Sequence, residues 1–108
     1  MTLHHIFQKV DRILRNRPDA LRWRVTMSSD AVEVFRRPIL TSAITLGALG
    51  LTDAPMPVPV CVVQITLLDS QTVNLVSRMT AEHELAPRHT AVERVVAFVN
   101  RYRDPSES

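Results

Sequence analysis

Charge is almost missing from the middle of this sequence: between Pro38 and Leu68 only Asp53 carries one, while both flanks are dense in arginine, aspartate and glutamate. Water-facing surface normally carries charges of both signs, so such a stretch belongs in a core, against a partner or around an apolar ligand. Cysteine is also nearly absent. Cys61 stands alone, which excludes an intramolecular disulfide, and its setting in VPVCVVQI reads as the inside of a strand, a buried and inert thiol. The cytoplasm is the compartment expected for a chain without disulfides whose first helix is charged where a signal peptide needs an apolar run. Only two glycines occur, in Gly47-Ala48-Leu49-Gly50. This is formally the G-x-x-G of the KH nucleic-acid fold, but the loop lacks the cation that would meet a phosphate, and a bend in an apolar segment accounts for it. The apolar stretch 39–51 falls short of the roughly 20 residues that span a bilayer, and the prolines after it prevent extension. No transmembrane segment is expected.

The 108 residues make one domain, 1–104, with 105–108 expected as a frayed tail. Leu3, Ile6, Phe7, Val10, Ile13 and Leu14 form one helical stripe with Thr2 as N-cap, and Pro18 ends it. From Leu21 the period changes to two. Leu21, Trp23, Val25 and Met27 alternate with Arg22, Arg24 and Thr26, Ser28-Ser29-Asp30 supplies a turn, and Val32 to Arg36 completes a hairpin. Segment 39–51 can be read as strand or helix, and a fifth strand is the preferred reading. Pro55, Pro57 and Pro59 delete every donor on one side of an extended chain, as a blocked sheet edge requires. Cys61 to Leu68 and Thr72 to Ser77 form the second hairpin. Cys61, Val63, Ile65 and Leu67 are expected on one face, and Val62, Gln64, Thr66 and Leu68 on the other.

Thr80 is expected to cap a short turn through Glu84, broken near Pro87. Thr90-Ala91-Val92-Glu93 has capping-box spacing, opening a helix with Val92, Val95, Val96, Val99 and Tyr102 as its stripe and Phe98 at the margin. The fold expected is α+β: an antiparallel sheet of two hairpins with N-terminal and C-terminal helices packed on one of its faces.

Chemistry-bearing patterns are sparse. His83, His89, Glu82, Glu84 and His4-His5 match no helical i, i+4 pair and no Cys/His metal pattern, and no G-x-S-x-G is present. No metal, cofactor or enzymatic activity is expected. The leading reading is a small non-enzymatic interaction protein, an accessory or adaptor protein of phage, viral or bacterial type. It would be homodimeric through the 38–68 region, with Ile39, Leu40, Ile44, Leu46, Leu49, Leu51 and Met56 as contact surface, because two helical stripes and four strands already furnish a core. The alternative is a nucleic-acid-binding module using Arg12, Arg15, Arg22, Arg24, Arg36 and Arg37, since residues 1–37 carry a net +4. The chain's excess of twelve arginines over one lysine follows as readily from genome composition, and Trp23 alternates away from Arg22 and Arg24. A third reading is a site for a lipid or other apolar ligand.

Overall fold

The N-terminal stripe closes into helix α1 (Leu3–Arg15), whose first turn is capped by Thr2 Oγ1 accepting from the His5 amide at 3.2 Å. The computed structural model describes residues 2–37, 59–77 and 82–103. After a single 3-10 turn, Ala20–Arg22, come β1 (Trp23–Met27), β2 (Ala31–Arg36), β3 (Val60–Leu67), β4 (Thr72–Val76) and β5 (His83–Pro87). A second 3-10 turn, Arg88–Thr90, leads into α2 (Ala91–Arg101). The strands pair antiparallel in sequence order, β1-β2-β3-β4-β5, and both helices pack on one face of the sheet and on each other. The α+β architecture, both hairpins and the single helix-bearing face are as the sequence implies.

Side chains on the turns set the hairpins. Ser28 Oγ accepts from the amides of Asp30 and Ala31, closing the β1–β2 turn. Asp69 Oδ1 accepts from the amides of Gln71 and Thr72, both at 2.8 Å, in the β3–β4 turn. The Gln71 amide leads the interactions that hold the Asp69 carboxyl below its ordinary value. The Arg88 guanidinium donates to the Asp69 carbonyl, tying this turn to the entry of α2.

The core lies between helices and sheet. Ile6, Val10 and Leu14 of α1 meet Trp23, Val32, Val34, Val63, Ile65, Val73 and Leu75 from the strands, and Val95, Phe98 and Val99 from α2. Phe98 is thus a core residue and Val96 only half-buried, the reverse of the stripe expected for α2. Helix α2 begins at Ala91 with Thr90 at its N-cap position, as the capping-box spacing implies, but a turn of 3-10 helix runs directly into it. Thr90 Oγ1 is spent as a donor to the Pro87 carbonyl, so it makes no cap to the helix.

Two further expectations are corrected. The register of β2 on β3 shifts between Val34, opposite Val63, and Phe35, opposite Cys61. This bulge inserts Val62, and both Val62 and Val63 end up buried in the core. Cys61 is thereby turned to the outer face, half-buried, with Sγ 3.7 Å from Glu33 Oε2. Where a short capped turn through Glu84 is expected, the chain forms strand β5: Glu84 pairs with Leu75 and Ala86 with Val73, and cross-strand pairing outweighs the local cap signal. Thr80, residues 39–51 and the tail 105–108 lie outside the described residues.

Ile6→Ala and Phe98→Ala are expected to cost about 2–5 kcal/mol each in equilibrium urea unfolding, against at most about 1 kcal/mol for Val96→Ala. Equal losses at Val96 and Phe98 would contradict this orientation of α2.

Candidate interaction surfaces

The charge-poor run divides in two at Pro59. Val60 to Leu67 is the middle strand of the five, hydrogen-bonded to β2 on one side and β4 on the other, so burial in the sheet accounts for that half. The other half, 38–58, contains the expected contact residues Ile39, Leu40, Ile44, Leu46, Leu49, Leu51 and Met56, which lie outside the described residues. Its anchorage is set nonetheless. Arg36 is the register partner of Val60, so the chain leaves the sheet and rejoins it at one place.

That end of the sheet is fastened by a polar and aromatic cluster. Trp23 and Arg36 are register partners on the helix face. The Arg36 guanidinium, almost wholly buried, lies over the Trp23 ring at 4.7 Å and near the Tyr102 ring at 5.9 Å, and its Nη1 is 3.3 Å from Asp19 Oδ2. Asp19 also accepts from Trp23 Nε1 at 3.0 Å and from Arg17 Nε at 2.9 Å, while Arg17 Nη1 reaches Asn100 Oδ1 at 2.6 Å. Arg17's hydrogen bond is the largest of the influences that lower the Asp19 carboxyl to about 2, ahead of desolvation, which opposes it, and of the bonds from Trp23 and Arg36. One carboxylate therefore joins the α1–β1 connection to β2, with α2 attached through Arg17.

Of the six arginines singled out by the sequence, Arg36 is thus committed inward. Arg22 is half-buried and donates through Nε to the Arg37 carbonyl at 3.0 Å. Arg12, Arg15, Arg24 and Arg37 are exposed. Arg15, Arg24 and Arg37 line one open cleft of about 380 Å³ between α1 and the outer edge of β1, together with Asp11, which pairs with Arg15 at 3.0 Å. Arg12 lines the neighbouring cleft on α1.

A more apolar cleft of about 320 Å³ opens where β4 stops short of the start of β3. Pairing with β4 begins only at Gln64, leaving Val62 beside Ser77, Phe98 and Tyr102, with Arg101 and Glu82 at the rim. It adjoins Val60, where segment 38–58 rejoins the sheet.

His4, His5, His83 and His89 are all exposed, and among the described residues no group of three or more His, Cys, Asp or Glu is placed to hold a metal ion. Among the same residues no helix is long and apolar enough to cross a membrane. The chain matches no protein-family model, no curated protein and no solved structure.

Sequence reasoning missed the Asp19 cluster, although a buried indole N–H announces the need for a nearby acceptor. Asp19→Ala is expected to lower stability at pH 7 by about 2 kcal/mol, whereas Asp11→Ala, which breaks an exposed pair, should cost at most about 0.5 kcal/mol. Because the folded pKa of Asp19 is depressed, its charge contributes stability above the unfolded value of about 4, and the contribution disappears as pH falls toward about 2. The difference between wild type and Asp19→Ala in chemical unfolding should accordingly shrink across that window. A difference independent of pH would contradict the assignment.

Proposed function

We propose that this protein is a non-enzymatic interaction module that self-associates as a homodimer through segment 38–58. The observation that carries the reading is the pairing of Arg36 with Val60. It brings the two ends of 38–58 together at one end of the sheet, while among the described residues two helices and five strands form a core. Seven large apolar residues in 38–58, with Asp53 as the only charge, suit a subunit contact. The contact surface is accordingly narrowed from 38–68 to 38–58, since β3 is occupied on both sides.

The absence of catalysis is part of the proposal. The two carboxylates held low, Asp19 and Asp69, are engaged in fastening a sheet end and a turn, and neither is poised near neutral pH as an acid or base would be. Nucleic-acid binding is less favoured: Arg36 is drawn into the core, Arg22 toward a carbonyl, and Asp11 sits among the remaining arginines. An adaptor role in the cytoplasm fits a single free thiol and a small sheet scaffold.

Sedimentation equilibrium from about 5 to 100 μM is expected to show a dimer, and Leu46→Asp or Leu49→Asp a folded monomer, because a charge desolvated in a contact costs several kcal/mol. Monomeric wild-type protein together with unfolded aspartate variants would overturn the proposal. A mass excess on native mass spectrometry, lost on delipidation, would favour an apolar ligand instead.

A further inference from the structure

Among the described residues β1 is an outer strand of the sheet, and its backbone polarity follows from its bonds to β2. The Arg37 amide donates to the Arg22 carbonyl at 2.7 Å and the Ser28 amide to the Ala31 carbonyl at 2.9 Å. In an antiparallel pair such positions alternate, so Arg24 and Thr26 bond to β2 while the N–H and C=O of Val25 and Met27 point to the open side. The Trp23 amide is already used, donating to the Ala20 carbonyl. Neither a bulge nor a proline interrupts β1.

The cleft along this edge is cationic. Arg15, Arg24 and Arg37 line it with Asp11, which pairs with Arg15, and among the described residues the Arg24 and Arg37 guanidinium groups have no hydrogen-bond or ion-pair partner, so the cleft keeps a net positive charge. Leu21, at 85% exposure the most exposed large apolar side chain in the described residues, stands at its start. We propose that the β1 edge is a docking site for an acidic, extended segment of a partner protein, which adds as a further strand with its carboxylates on Arg24 and Arg37. The chemistry selects this occupant on two counts. Alternating N–H and C=O groups on Val25 and Met27 are matched by another extended backbone and not by a phosphodiester chain. A second copy of the same edge would bring Arg24 and Arg37 against their like, so the cations disfavour self-pairing and favour carboxylates. The site is separate from segment 38–58, and its failure would leave the homodimer proposal standing.

The probe is a fluorescein-labelled, end-capped peptide, Thr-Glu-Val-Glu-Val-Glu-Thr, measured by anisotropy against the full chain at about 50 mM salt. Three comparators accompany it: the same peptide with lysine for glutamate, the same peptide N-methylated at alternate amides, and a ten-nucleotide single strand of DNA. The acidic peptide is expected to bind at least about tenfold more tightly than any comparator, and Arg24→Glu with Arg37→Glu to weaken it at least about tenfold. Amide hydrogen exchange at Val25 and Met27 should slow at least about tenfold in the complex. Both arginines are exposed, so circular dichroism of the double variant should be native. The proposal is overturned if the acidic peptide does not bind at about 1 mM. It is also overturned if the N-methylated peptide or the DNA binds as well as the acidic peptide, or if binding leaves the Val25 and Met27 amides unprotected. Should the double variant unfold, the N-methylated comparator and the amide exchange still decide.

Discussion

The pairing of β2 with β3 is the constraint on which the rest of the molecule depends. The other strand connections are short: residues 28–30, 68–71 and 77–82 join neighbours in the sheet. Joining β2 to β3 means closing a loop over residues 37–59, which costs about 1–2 kcal/mol more in chain entropy than a four-residue turn. What offsets that cost is the apolar ladder of Val32 opposite Ile65 and Val34 opposite Val63, whose members are fully buried. Without it the protein is two separate sheets, one carrying α1 and the other α2, each with half a core. With it, the helices share one face and the bulge at Val62 directs two consecutive valines inward.

The same pairing determines where chemistry accumulates. It sets Arg36 beside Val60 at the end of the sheet, where a buried guanidinium would be costly alone. Asp19 pairs with its Nη1 and the Trp23 and Tyr102 rings flank it, while Arg15, Arg24 and Arg37 face the cleft along β1. One end of the sheet thus combines the two ends of the charge-poor segment 38–58, an apolar cleft at Val62 and a basic edge at β1.

Much of this was legible in the residues. Period-two alternation located β1 and β3, and the Thr2 cap and Pro18 bounded α1, because those signals act within a few residues. The inward turn of Arg36 was also within reach: a turn at Ser28 to Ala31 places Trp23 opposite Arg36, on the same face. What stayed hidden was non-local. A bulge has no signature in VPVCVVQI, where valine suits either face, so the orientation of Cys61 could not be read. Strand β5 depends on partners in β4, and its own residues, His83 to Pro87, have weak β preference. In α2, Val92, Val96 and Phe98 are all apolar, and only the position of the sheet decides which of them is covered.

The proposal stands or falls on whether the core is complete without residues 38–58. Replacing residues 38–58 by an Asn-Gly turn between Arg37 and Pro59 tests it directly, since these flank register partners that a tight hairpin can join. The account predicts a folded monomer with cooperative urea unfolding and stability within about 2 kcal/mol of the wild-type subunit. A chain that unfolds, or a molten state with native secondary structure and no fixed packing, would show that 38–58 is itself part of the core.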